Sequence, residues 1–102
     1  MIMSTHSDIE GTIEACRLAN IEWQKDFEIG KPDDYNEMCV CLLLDDIRRQ
    51  VSSIKDSDYV CSMILRYDNM NVDYQERLDT LSEDEFVDYI HCIGILGVLL
   101  EI

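Results

Sequence analysis

The chain has 102 residues, 47% of them hydrophobic, and carries 22 Asp and Glu against 8 Lys and Arg, a formal net charge of −14. This length supplies one buried core but not two, so we predict a single domain over residues 1–102, and the hydrophobic content excludes an intrinsically disordered acidic tail. The shortage of basic residues disfavours direct binding to nucleic acid or to a membrane surface, and it favours a cationic partner that offsets the self-repulsion.

The first predicted helix has both a start and a stop signal. Ser7 begins a Ser-x-x-Glu sequence, the spacing of a capping box, and Gly30 with Pro32 is a common stop. Between these signals, apolar residues recur at helical spacing, at Ile9, Ile13, Cys16, Trp23 and Phe27. Asn20 interrupts this stripe. The pattern predicts a helix from about Asp8 to Ile29.

A second start signal, Asp34 followed by Glu37, opens the next element, and the polar run SSIKDSD closes it. The MCVCLLL run between them could form a buried strand. However, apolar residues continue at helical spacing beyond this run, and its β-branched content is low. We therefore predict a second helix from about Asp34 to Ile54 that is buried on most sides.

Two further elements are predicted before residue 82. Either Asp56 or Ser57 can cap a third helix, because short polar side chains accept hydrogen bonds from nearby backbone N–H groups. Its apolar residues are Val60, Met63, Ile64 and Tyr67. The polar cluster Asn69–Asn71 predicts the end of this helix, and a short fourth helix is predicted from Val72 to Leu81.

The fifth predicted helix has the clearest start signal in the chain. Ser82 and Glu85 have capping-box spacing, and Leu81 and Phe86 occupy the positions of a hydrophobic staple. Acids in this first turn are favoured by the unpaired backbone N–H groups and the helix macrodipole. Together the elements predict an all-α fold, a compact bundle of four to five helices.

The C-terminal helix carries apolar residues all the way round rather than along one stripe. These residues are Ile90, Ile93, Leu96, Val98, Leu99 and Leu100. The pattern predicts burial on all sides within the bundle, and a homodimer that buries one face is the alternative. Gly94 and Gly97 each lower helix propensity by about 1 kcal/mol, so we expect them to allow close packing against a neighbouring helix.

More than half of the net charge lies in the last third of the chain. From residue 68 onward, nine acids accompany one base, Arg77. Asp73, Glu76 and Asp79 share one face of the predicted fourth helix, with Tyr74 beside them. The predicted partner-binding residues are Asp68, Asp73, Tyr74, Glu76, Asp79, Glu83, Asp84, Glu85, Asp88 and Tyr89. A solvated face without a partner is the alternative interpretation.

Clustered carboxylates steer a basic partner to the surface, and tyrosines supply contact area at low entropic cost. We therefore expect an inhibitor that covers the basic, nucleic-acid-binding surface of a partner protein, first of all an immunity protein that neutralises a nuclease toxin. The strategy is similar to that of small acidic helical immunity proteins of bacterial nuclease toxins, without a motif match. Two alternatives remain open: a phage-type DNA mimic acting against restriction or CRISPR effectors, and a non-catalytic helical adaptor.

Catalytic, metal and cofactor chemistry is not predicted. The acidic segment from residue 68 lacks the Gly and the closing Glu of a calcium-binding EF-hand loop, and Cys39 and Cys41 are spaced to point to different sides of a helix. We expect all five cysteines to be reduced core residues of a cytoplasmic protein, because no signal peptide is recognisable and free Cys behaves as a small hydrophobe. The apolar C-terminal run is too short to cross a bilayer.

Overall fold

The computed structural model describes residues 5–30 and 34–102 of the chain. Over these residues the backbone forms helices and turns and no strand. The elements are α1 (Thr5–Glu28), α2 (Asp34–Ser52), α3 (Asp58–Glu76), a 3-10 turn (Leu78–Thr80) and α4 (Glu83–Glu101). The predicted all-α bundle of four to five helices is confirmed, with four helices.

The first two helices pair antiparallel. Near the start of α1, the Thr12 hydroxyl accepts a 2.8 Å hydrogen bond from Gln50, which lies near the end of α2. Near the end of α1, Asp26 accepts a 2.7 Å hydrogen bond from Asn36, in the first turn of α2. The order of these contacts shows that the two helices run in opposite directions.

The last two helices form a second antiparallel pair. The Cys92 thiol donates a hydrogen bond to the carbonyl oxygen of Tyr67 at 3.2 Å. Further along α3, the Tyr74 ring meets the Tyr89 ring edge-on, with centroids 6.0 Å apart. As the residue number rises in α3 it falls in α4, so these helices also run in opposite directions.

Helix α4 joins the two pairs, because it contacts α1 and α2 as well as α3. A Cβ built on Gly94 would lie 3.7 Å from the Leu44 side chain of α2. Further down, Arg48 of α2 donates to Glu101 of α4 at 2.8 Å. Helices α2 and α4 therefore run in the same direction. The C-terminal ends of α1 and α3 consequently lie at the same end of the bundle as the N-terminal ends of α2 and α4.

All four helices contribute to one core. Its fully buried side chains include Ile9, Cys16, Ile47, Val51, Met63, Cys92 and Ile95. Burial of each large aliphatic side chain stabilises the fold by about 1.5–3 kcal/mol. Helix α4 contributes most densely, since Cys92, Ile95, Leu96, Val98 and Leu99 are all buried.

Helix α3 passes through the position where the sequence predicted a break. The Asn69–Asn71 cluster does not end it, and the separate fourth helix predicted from Val72 to Leu81 is wrong. The residues of that stretch form the last turn of α3 and the 3-10 turn. Asn costs only a few tenths of a kcal/mol more than a good helix former, and the packing of Tyr67 and Tyr74 on either side of the cluster outweighs this cost.

Several helix ends agree with the capping signals. The Ser57 hydroxyl accepts from the backbone N–H of Val60, and Ser82 forms a complete capping box with Glu85. Helix α1 begins at Thr5, earlier than predicted, and α2 ends at Ser52, two residues before the predicted end. The side chains predicted to cap α1 and α2, Ser7 and Asp34, lie outside those that the structure describes, as does Pro32.

The prediction that the C-terminal helix is buried on all sides is wrong for one face of α4. Phe86 is 41% exposed, Ile93 46% and Leu100 65%. The other three helices cover α4 on three sides only, because the fifth helix that the prediction required does not form among the described residues. Gly94 packs closely against α2 as expected, whereas a Cβ on Gly97 would meet nothing within 4 Å.

The cysteines divide into two groups. Cys16 and Cys92 are buried, and burial raises the pKa of each thiol to about 11. Cys39 is half-buried, but Cys41 and Cys61 are exposed, so the prediction that all five are core residues is wrong for these two. All five lie within the described residues and none forms a disulfide. None of the helices described is both long and apolar enough to span a bilayer.

The continuity of α3 can be tested at Asn69, which is exposed in the middle of the helix. We expect Asn69→Pro to lower the free energy of unfolding by about 3 kcal/mol, because proline removes a backbone hydrogen bond and clashes with the preceding turn. The control Asn69→Ala keeps the backbone N–H and should leave stability unchanged or slightly raised. Urea denaturation followed by circular dichroism measures both, and a tolerated proline would contradict a continuous helix.

Candidate partner-binding surface

Several of the predicted acidic residues lie at the end of the bundle where α1 and α3 finish and α4 begins. We use the term acidic end for the surface formed by five exposed carboxylates, which are Glu28, Glu76, Asp79, Glu83 and Asp84. Glu28 ends α1, Glu76 ends α3, Asp79 lies in the 3-10 turn, and the other two lie in the first turn of α4. None of the five forms an ion pair within the part of the chain that the structure describes.

A cleft of about 520 Å³ between α1 and α4 extends from this end. Its charged lining consists of Glu28, Glu83, Asp84 and Asp88 with Arg17 and Lys25. Both cations are already engaged within α1, since Arg17 pairs with Glu14 at 2.8 Å and Lys25 pairs with Glu22 at 3.2 Å. The carboxylates of the cleft therefore outnumber its cations, and the cations are occupied. One acid of the first helix, Glu28, shares the surface with the acids of α4.

Arg77 neutralises two of the predicted site residues. Its guanidinium lies 2.9 Å from Asp73 and 3.0 Å from Glu85. The Arg77 hydrogen bond, together with the backbone N–H of Ser82, holds the pKa of the Glu85 carboxyl below its ordinary value. The same guanidinium lies over the Tyr74 ring, 5.7 Å from its centroid. Asp73 and Glu85 thus tie the end of α3 to the start of α4, and their charge is compensated within the chain.

Two other predicted acids are not part of the unpaired group. Asp88 lies 3.7 Å from Arg17, which partly compensates its charge. Asp68 is exposed but precedes the end of α3 by eight residues, about 12 Å along the helix. The structure therefore places Glu76, Asp79, Glu83 and Asp84 of the predicted set at one end of the bundle and leaves Asp68 apart. Glu28 is added to this set, and it lines one cleft with Glu83 and Asp84.

The predicted tyrosines pack rather than project freely. Tyr74 and Tyr89 are both half-buried where α3 meets α4, and burial raises the pKa of Tyr74. Phe86 packs against Tyr89, with ring centroids 6.5 Å apart. The exposed apolar surface near the acidic end comes instead from Leu78 and Phe86, and from Phe27 and Ile29 on either side of Glu28.

Sequence reasoning missed Leu78 because the 3-10 turn was predicted as a regular helix. Phe86 was predicted only as part of a hydrophobic staple. Both residues line a second cleft, of about 440 Å³, together with Glu28 and Glu83. Apolar and acidic groups therefore share one surface at this end of the bundle.

A buried polar pair lies between α1 and α4, below the surface. Asn20, the residue that interrupts the apolar stripe of α1, donates to the carbonyl oxygen of Cys16 at 3.1 Å. Its amide nitrogen also lies 3.5 Å from Nδ1 of His91. Burial lowers the pKa of His91 to about 4, and nearby Arg17 acts in the same direction. His91 is consequently neutral at neutral pH and adds no positive charge beneath the acidic end.

Metal binding and known relatives give no further indication of function. Within the described residues, no group of three or more His, Cys, Asp or Glu side chains is arranged to hold a metal ion. No protein-family model, curated protein or solved structure matches the chain.

The role of Arg77 can be tested with Arg77→Met, which keeps the aliphatic stem and removes the charge. We expect a lower midpoint of urea denaturation, because Asp73 and Glu85 lose their shared partner, and a smaller loss in 1 M NaCl, where exposed charges are screened. The control is Arg49→Met, since Arg49 makes one long pair within its own helix at 3.4 Å. Equal losses for the two variants would contradict a clamp between α3 and α4.

The neutral state of His91 predicts a pH dependence of stability. The unfolded chain takes up a proton near pH 6.5, whereas the folded chain does so only near pH 4, so stability falls as the pH drops through this window. Once the pH is below both pKa values, the free energy of unfolding has fallen by on the order of 3 kcal/mol because of this one group. His91→Gln keeps a polar partner for Asn20 and removes the titration. Denaturation curves from pH 7 to pH 4.5 should therefore show a steeper decline for the unmodified chain than for His91→Gln, and parallel declines would contradict a neutral buried imidazole.

Proposed function

We propose that this chain is a protein-binding inhibitor whose acidic end covers a basic, nucleic-acid-binding surface of a partner, as an immunity protein covers a nuclease toxin. One observation carries the proposal: five exposed carboxylates from α1, α3, the 3-10 turn and α4 lie at one end of the bundle without ion-pair partners among the described residues. The chain has no catalysis of its own in this proposal, and it acts in the cytoplasm, where its cysteines stay reduced.

The distribution of ion pairs over the surface supports a binding partner rather than a purely solvated surface. Elsewhere in the described residues, the chain places its arginines against its own acids, as Arg17, Arg48 and Arg66 show. Exposed acids without ion pairs also lie elsewhere, as at Asp8, Asp56 and Asp58, but the acidic end places five of them at one end of the bundle, so a cationic surface is the group that would relieve its repulsion. Electrostatic complementarity of this kind raises association rates to about 10⁸–10⁹ M⁻¹s⁻¹ at low salt, against about 10⁵–10⁶ M⁻¹s⁻¹ for uncharged surfaces.

Leu78 and Phe86 give this surface an apolar component beside the acids. Carboxylates alone attract any basic protein, whereas burial of apolar side chains beside them requires a complementary shape. The combination favours an inhibitor of one specific protein. A DNA mimic has weaker support, because Asp73, Glu85 and Asp88 are already close to arginines and interrupt the run of free charges.

The test uses two charge-matched variants of the full chain. The first removes three charges from the acidic end (Asp79→Asn, Glu83→Gln and Asp84→Asn). The control removes three exposed charges elsewhere (Asp8→Asn, Asp56→Asn and Asp58→Asn). Each protein is immobilised and exposed to extract of the source cells, bound proteins are identified by mass spectrometry, and the main bound protein is assayed for nuclease activity with and without the chain.

We expect one basic nuclease to be retained and inhibited by the unmodified chain and by the control. The variant of the acidic end should lose at least about tenfold in affinity, with the deficit mainly in the association rate at low salt. Equal binding by both variants, or a partner without nucleic-acid chemistry, would reject the proposal. Retention of several unrelated DNA-binding proteins would favour the DNA mimic instead.

A further inference from the structure

The uncovered face of α4 has the spacing of a helix-pairing seam. Its residues follow at alternating intervals of four and three, at Phe86, Ile90, Ile93, Gly97 and Leu100. This spacing keeps apolar side chains on one side of a helix against a second helix. The stripe covers 15 residues, about 21 Å of helix. We refer to these five residues as the open seam.

Contacts of α4 on its other sides fix the direction in which the open seam points. His91 lies against Asn20 of α1, Gly94 lies against Leu44 of α2, and the Cys92 thiol reaches the backbone of α3. At about 100° per residue, Leu100 and Ile93 lie roughly opposite His91. Ile93, Gly97 and Leu100 therefore face away from α1, between α2 and α3, whereas Ile90 and Phe86, at the start of the seam, also line clefts with residues of α1.

Acidic residues border the open seam on both sides. On α2, Glu37 lies on the same stripe as Cys41, Leu44 and Arg48, the stripe that meets α4. On α3, the exposed Asp68 follows Tyr67, whose backbone carbonyl oxygen accepts from the Cys92 thiol of α4 at 3.2 Å. Among the described residues of this border, Arg48 is the cation, and it is already bound to Asp45 at 2.6 Å and to Glu101 at 2.8 Å.

We propose that the open seam binds an amphipathic α-helix of a partner protein, apolar along one stripe and edged with Lys and Arg. The 4-3 spacing calls for a helix, the exposed side chains of Ile93 and Leu100 supply its apolar contact, and Gly97 allows close approach because nothing lies within 4 Å of its Cβ position. The acidic residues beside the open seam favour a partner helix with Lys and Arg along its edges. A second copy of this chain fits poorly, since it would bring two acidic borders and two net charges of −14 together.

This surface adjoins the acidic end at Phe86, but the residues tested, Ile93 and Leu100, lie about two and four turns further along α4. The proposal does not depend on the proposed function. The seam variant is the double substitution Ile93→Gln and Leu100→Gln, which changes exposed side chains. Leu18→Gln is the matched control, because Leu18 is 52% exposed on α1 and faces away from the bundle. Circular dichroism and urea denaturation establish that each variant is folded. Substitution of the acidic end at Asp79, Glu83 and Asp84 provides a third variant.

The probe is a synthetic helical peptide of 18 residues with leucines at 4-3 spacing and lysines at the remaining positions, and isothermal titration calorimetry measures its binding. We expect the seam variant to bind the peptide at least about tenfold more weakly than the unmodified chain, and Leu18→Gln and the acidic-end variant to bind it normally. A peptide of the same composition with its leucines scrambled should bind weakly and lose that binding at 0.5 M NaCl.

Equal affinity of the seam variant and the unmodified chain would overturn the proposal, as would equal affinity for the ordered and scrambled peptides. Sedimentation of the chain alone measures whether it is a monomer or a dimer. A monomer at micromolar concentration agrees with the proposal. A dimer that dissociates on Ile93→Gln and Leu100→Gln would overturn it, because a second copy would then occupy the open seam.

Discussion

The structure depends on the burial of α4 between the other three helices. Cys92, Ile95, Val98 and Leu99 enter the core that α1, α2 and α3 share, and each helix pair meets the other largely through this segment. Apolar burial is the main force available here, because a chain with a net charge of −14 gains little from its surface charges. The acidic surface is thus supported by an apolar helix that begins within it.

This arrangement explains why one segment combines acids at its start with apolar residues along its length. The first turn of α4 has backbone N–H groups without helical partners, which favour Glu83 and Asp84, while later turns lie inside the bundle. Glu85 has a structural role, since it completes the capping box and pairs with Arg77. Local helix chemistry therefore accounts for part of the charge, and the unpaired remainder forms the acidic end.

The fold class could be predicted from the sequence because its signals are local. The capping serines, Ser57 and Ser82, lie directly beside the backbone groups that they cap. The break at Asn69–Asn71 was predicted wrongly because the packing of Tyr67 and Tyr74 against α4 is a long-range contact that local polarity does not reveal. The same error produced a fifth helix, and with it the prediction of a fully enclosed C-terminal segment.

The surface was harder to predict than the fold. Position in the sequence indicated which third of the chain is acidic, but not that Arg77 would bind Asp73 and Glu85, nor that Glu28 from the other helix pair would lie beside Glu83. Both facts depend on the direction in which helices pack.

The pairing of neighbouring helices also affects how this chain reaches its native state. Its closest pairings, α1 with α2 and α3 with α4, join helices that are adjacent in sequence, so each needs only a short loop to close. Topologies of this kind fold on a timescale of about microseconds to milliseconds, because little chain entropy is lost before contacts form. A newly made copy is therefore exposed only briefly as an unfolded acidic chain. Rapid supply of folded molecules suits a protein whose proposed role is to bind its target before the target reaches nucleic acid.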